Sequence, residues 1–192
     1  MLKRSLLTLA ISIAATLPAF AHLDPAEHGS FAAGFSHPLF GLDHLLAMVA
    51  VGLWAAQQGG RAIFTVPGAF IGTMALGFAA AVAGLPLPFV EPVILASVIF
   101  IGIAIALALP VPTVAVAAMV GFFAVFHGHA HGGELGGAGA WEFAVGFIAA
   151  TALLHAGGIA AGLALAHFSG KLLMRIAGAA AALGGIYLVI SG

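Results

Sequence analysis

Two short runs in this chain pair imidazoles with carboxylates at the ends of apolar segments. The first is His37-Pro-Leu-Phe-Gly-Leu-Asp43-His44, with an apolar stretch directly after it. The second is His127-Gly-His129-Ala-His131-Gly-Gly-Glu134, with an apolar stretch directly before it. Such groups are costly to hold in or beside a membrane, and where they occur they mark a path or a site. The chain has no cysteine, so disulfides and thiolate sites are excluded. Imidazole with carboxylate suits borderline divalent ions such as nickel, cobalt and zinc.

On a continuing helix, His127 and His131 are i and i+4, and His131 and Glu134 are i and i+3. All three then share one face within reach of a common ion, and His129 points elsewhere. The glycines between them lower helix propensity, which leaves a looser arrangement or a solvated His/Gly loop open. In the first run, Asp43 and His44 project about 100° apart on a helix. His37 would lie roughly 10 Å from His44 along an unbroken helix, too far for one coordination sphere. Pro38 and Gly41 can relieve that by breaking the first turn. Alternatively Asp43 orients an imidazole instead of binding an ion, or His37 caps the helix while Asp43 and His44 neutralise each other.

These residues need a scaffold, and composition says which. With 192 residues, 63% hydrophobic, 6% charged and a mean hydropathy of +1.22, the chain is expected to be an integral membrane protein in a lipid bilayer. Residues 1–21 read as a cleavable signal peptide: Lys3 and Arg4, an apolar middle from Leu6 to Leu17, then Ala19-Phe20-Ala21. Residues 22–192 form one domain of six apolar spans, each near the ~20 residues a bilayer core requires. The spans are expected near Phe40–Ala56, Ala62–Ala83, Val90–Leu109, Thr113–Phe126, Trp141–His167 and Leu172–Ile190. The fourth is short unless it continues through the second histidine run. The fold class is therefore an all-α polytopic bundle.

Orientation follows from the basic residues. After cleavage they are Arg61, Lys171 and Arg175. Six spans with the N-terminus in the periplasm put all three on the cytoplasmic side of the inner membrane. The same plan puts every acid of the mature chain at or beyond the outer face, including Glu91 and Glu142 beside the two runs. That asymmetry would collect cations. His155 lies about 13 residues, ~20 Å, from the outer end of its span. It could relay an ion or a proton, or simply bond a neighbouring helix. Cleavage after Ala21 would leave His22 with a free amine, able to chelate a metal with help from His28. His167, beside Lys171, is interfacial.

The His-Pro-x-x-Gly-x-Asp-His pattern (His37, Pro38, Gly41, Asp43, His44) resembles the first motif of the HupE/UreJ family. Phe126, His127, Gly128, Ala130, His131, Gly132 and Glu134 resemble its second. The resemblance covers essentially the whole chain. It implies a hydrogenase or urease accessory membrane protein, a secondary permease for nickel or, in some branches, cobalt. It also implies that His37, Asp43, His44, His131 and Glu134 are the transport-critical residues.

The leading function is import of a divalent ion from the periplasm for hydrogenase or urease maturation. The metal is cargo, and no prosthetic group and no nucleic-acid partner are expected. There is no G-x-x-x-x-G-K-[ST] motif, so no ATPase subunit is required. A divalent cation moving inward gains about 2 × 2.3 kcal/mol per 100 mV, enough for roughly a thousandfold accumulation. The alternative is a metal-dependent intramembrane hydrolase, for which three histidines, an acid and a metal-bound water would suffice. It lacks an H-E-x-x-H motif. A periplasmic metal sensor or scaffold is a third reading, and it would not need His155.

Overall fold

The structure, a computed structural model, describes residues 30–135, 139–169 and 171–191. The signal segment, His22 and His28 lie outside the described residues, and so does the side chain of Glu134. Among the described residues seven helices run in order: α1 Phe31–Phe40, α2 Leu42–Gln58, α3 Ala62–Val82, α4 Val90–Leu107, α5 Thr113–Leu135, α6 Ala140–Ser169 and α7 Lys171–Ser191. Helices α3 to α7 are each long and apolar enough to cross a membrane. The bent pair α1 and α2 passes as a sixth, broken span. Their outward faces carry Phe64, Leu76, Val114, Leu153, Leu172 and Ile190, as a bundle solvated by lipid requires.

The first span departs from the expected Phe40–Ala56. A separate helix precedes it, started by Ser30, whose hydroxyl accepts from the Ala33 amide at 3.0 Å. Pro38 lies inside α1, and the chain then passes through Gly41, extended at φ −80°, ψ 111°. Helix α2 restarts there, turned by 83° from α1. Proline cannot continue the backbone bonding of the turn behind it, which is why the break falls here.

The fourth span does continue through the histidine run, as α5 to Leu135. Glycines at 128 and 132 cost helix propensity, and close packing offsets that cost. A Cβ at Gly128 would collide with the Met74 carbonyl, and one at Gly132 with the carbonyl of Phe78. From the other side, a Cβ at Gly77 would strike the Val125 carbonyl. Helices α3 and α5 thus meet backbone to backbone, the contact that drives association in lipid. Gly52 and Gly158 do the same for α2 and α6, where the Gly52 position faces the carbonyl of His155.

The buried core joins Trp54 of α2, Phe70 and Met74 of α3, Ile101 and Ile105 of α4, Val120 of α5 and Phe147 of α6. These close packings bring the start of α2, the end of α5 and the start of α6 to one end of the bundle. Arg61, Lys171 and Arg175 gather at the other.

Candidate metal site

Asp43 and His44 occupy the first turn of α2, and Asp43 Oδ1 lies 3.0 Å from His44 Nδ1. A carboxylate can only accept, so a neutral His44 carries its proton on Nδ1 and turns the Nε2 lone pair toward the bundle interior. His131 Nε2 stands 2.7 Å from His44 Nε2, and with that tautomer it supplies the shared proton. Both rings are buried. Gly41 completes the corner: a Cβ there would sit 3.0 Å from Asp43 Oδ1 and 3.3 Å from His44 Nδ1, crowding the pair.

The bend brings in the ring that an unbroken helix would keep away. The His37 centroid is 4.2 Å from that of His131 and 6.3 Å from that of His44. Phe143 and Phe147 of α6 wall the far side, at 5.8 Å from His37 and 4.9 Å from His131 respectively. Helix α1 reaches them through Gly34, where a Cβ would collide with the Phe143 carbonyl.

One turn deeper on α5, His127 is fully buried. Its ring is 4.9 Å from His44 and 5.5 Å from Phe70. His127 Nε2 lies 3.1 Å from Ser97 Oγ, and that hydroxyl gives its one proton to the Ile94 carbonyl at 2.6 Å. The Ser97 oxygen must therefore accept from His127 Nε2–H, leaving Nδ1 as a bare lone pair with no partner among the described residues. Residue choice on α4 thus sets the tautomer on α5.

Four imidazoles from α1, α2 and α5 consequently meet, with Asp43 and Ser97 orienting two of them. The donor set fits a borderline divalent ion. As they stand, no three His, Asp or Glu side chains among the described residues surround one point that would hold an ion. The reason is visible at His44 and His131. Two nitrogen ligands on a tetrahedral ion with bonds of ~2.0–2.1 Å stand about 3.3 Å apart, wider than the observed 2.7 Å. For both nitrogens to bind one ion, His131 would have to carry its proton on Nδ1 and the two rings would have to part.

The other expected residues separate. His155 is buried on α6 beyond Phe70, 5.0 Å from that ring. His129 turns away, as its register requires, and its Nε2 meets the Leu85 carbonyl at 2.7 Å, fastening the α3–α4 loop. Glu91 and Glu142 are exposed in the first turns of α4 and α6, with no bond to the histidine rings. The structure does not bring them into the cluster, because each helix start points its acid to the outer surface. Glu134 lies in the last turn of α5, three residues past His131. Ser97 escaped the sequence reading, although it is the one hydroxyl in the otherwise apolar run from Val93 to Leu107 and could have been noticed for that reason.

The fold and this site define an all-helical, multi-pass membrane protein with a buried polyhistidine cluster at one end. A model of the HupE / UreJ protein family matches residues 9–188, and the chain belongs to that family. It is 42% identical over 193 residues to Protein HupE of Rhizobium leguminosarum bv. viciae, covering 98% of this chain and 100% of that relative. No solved structure matches the chain.

Proposed function

We propose that this chain is a secondary permease that admits a divalent transition-metal ion, nickel first and cobalt next, from the periplasm into the cell. The observation that carries the reading is the meeting of four imidazoles from three helices at one end of a membrane bundle, two of them with oriented lone pairs. An ion reaching this end exchanges water for His44 Nε2 and His131 Nε2, the shared proton moving to His131 Nδ1 as that ring changes tautomer, with Asp43 balancing the charge. Glu134, three residues past His131 in sequence, is the acid that the resemblance to the family adds to this set. A site closed by a proton holds its ion transiently, which suits passage better than storage.

The mature chain sits in the inner membrane with its N-terminus in the periplasm, and the membrane potential drives the cation inward. Family membership supports a link to hydrogenase or urease maturation, which consumes the ion. The chemistry asked of the chain is ligand exchange alone, so it is not an enzyme.

The test is uptake of nickel, cobalt and zinc, each alone, by cells or proteoliposomes carrying the wild type or Asp43→Asn at equal expression. Saturable entry of one ion, reduced by about 10–100-fold in the variant as for loss of an orienting carboxylate, is expected. Equal entry of every ion by the two proteins would overturn the reading.

A further inference from the structure

The cluster does not account for His155. This ring is 1% exposed, and both its nitrogens lack a hydrogen-bond partner among the described residues. A buried imidazole left so gives up the hydrogen bonds that water would supply to both nitrogens, and a leucine in its place would give up none. Ordinary core packing does not explain the residue.

Its surroundings do. Thr151 precedes His155 by one turn of α6, on the same face. It is fully buried, and its hydroxyl points at the Met74 sulfur at 3.8 Å, a weak acceptor that leaves the oxygen lone pairs uncommitted. Met74 and Phe70 are likewise one turn apart on the facing side of α3. A buried imidazole therefore lies one helical turn from a buried hydroxyl that meets a thioether of the facing helix, within the membrane span. The ring of Phe70 lies between this group and the outer cluster, 5.0 Å from His155 and 5.5 Å from His127. The unpartnered Nδ1 of His127 is the deepest lone pair of the outer cluster.

We infer that His155, with Thr151 and Met74, forms a second, inner binding station for a divalent transition-metal ion, separated from the outer cluster by the Phe70 ring. It rests on the permease reading for its purpose, because an ion passing the outer histidines needs a second foothold inside the apolar bundle. Nitrogen, oxygen and sulfur donors suit nickel, cobalt or copper, and discriminate against magnesium and calcium. His155 supplies the strongest ligand, and Thr151 and Met74 bias the choice of ion. No bond to carbon forms or breaks. Water or an outer imidazole leaves the ion as the inner donors arrive.

The chain has no cysteine, so His155→Cys would place a single thiol at the station. Purified His155→Cys, titrated with Co2+ and separately with Ni2+, should develop a near-ultraviolet thiolate-to-metal charge-transfer band. The band should be absent from the wild type and from a control carrying its only cysteine at lipid-facing Leu153. In proteoliposomes, His155→Phe, which suits an apolar core, should lower uptake at least tenfold. Calorimetric binding of the same ion to the outer cluster should persist. No band in folded His155→Cys, or wild-type uptake by His155→Phe, would overturn the inner station. Failure of the permease reading would show separately, as uptake unaffected by Asp43→Asn while the band still formed.

Discussion

The two ends of the bundle both place polar side chains among apolar helices, but they use them differently. At the end that carries Arg61, Lys171 and Arg175, side chains bond to backbone. Gln57 Nε2 donates to the Ile105 carbonyl at 3.0 Å, and Arg175 Nε donates to the carbonyl of Ala106 at 2.7 Å. Helix α4 stops at Ala108 in a left-handed turn, φ 52°, where the Ala108 amide bonds the Ile105 carbonyl at 3.0 Å and the two side chains add donors to the last turn. Within the histidine cluster at the opposite end, side chains also bond to one another: Asp43 to His44, His44 to His131, Ser97 to His127, while His129 beside it bonds the Leu85 carbonyl. Capping a carbonyl uses a donor up. Pairing imidazoles leaves lone pairs that a proton or an ion can exchange over. Polarity inside a membrane protein therefore has two meanings, and the partner tells which one applies.

The sharpest way to break that distinction is His44→Ala. It removes the ring that joins Asp43 to His131, so uptake should fall by more than the about 10–100-fold typical of losing a group that only orients a ligand. The protein should still reach the membrane, because the glycine contacts between α3 and α5 and between α2 and α6 remain. Radiolabelled nickel or cobalt uptake, normalised to membrane-extracted protein, measures both. Uptake near the wild-type level would make the outer cluster as structural as the inner end.

A milder probe of the same corner is Gly41→Ala. Its Cβ would press on Asp43 Oδ1 at 3.0 Å and on His44 Nδ1 at 3.3 Å, turning the pair without deleting either member. Uptake should drop by roughly tenfold, at the lower end of second-shell effects, while the melting temperature in detergent changes little. A large loss of thermal stability with uptake per folded molecule intact would show Gly41 to be a hinge for folding and nothing more.

Much of this was legible in the residues, for physical reasons. Apolar runs of bilayer length locate helices without help from tertiary contacts, and α3, α4, α6 and α7 fall within a few residues of expectation. The i, i+4 spacing of His127 and His131 sufficed to put them on one face once α5 continued. Helix α1 was missed because Phe31–Phe40 is too short to read as a span, and its helicity depends on the Ser30 cap and on packing against α6. Its arrival explains how His37 joins His44 across seven residues. Glu91 and Glu142 were grouped with the histidines because chain position gives depth in the membrane but not direction around a helix. Ser97 and Phe70 went unseen for a related reason. Which residues of α3 face α5 is decided by glycine contacts between helices that the sequence does not pair.

Ser97→Ala tests the orienting role assigned to α4. Without the hydroxyl, His127 Nε2–H loses its acceptor and the ring is free to change tautomer or turn. Uptake should fall by about tenfold, with a stability cost near 1 kcal/mol for one net hydrogen bond. Ser97→Thr keeps the hydroxyl and should recover most of the activity. Equal, severe losses in both variants would point to packing beside Ile94 and not to the bond.

The smallest effect is expected where the comparison began, at Gln57. Its Nε2 caps Ile105, but its Oε1 is buried without a partner among the described residues. Gln57→Leu therefore loses one hydrogen bond and at the same time relieves one unmet acceptor. The two effects oppose each other at about 1 kcal/mol each, so the net change in stability should lie within about 1 kcal/mol of zero. Uptake per folded molecule should be unchanged, since Gln57 lies at the end of the bundle away from the histidine cluster and its Nε2 is committed to a carbonyl. A shift in melting temperature of a few degrees either way is consistent with that balance. A tenfold fall in uptake at unchanged stability is not: it would mean that the ion leaves past Gln57, and that capping and conduction share the inner end after all.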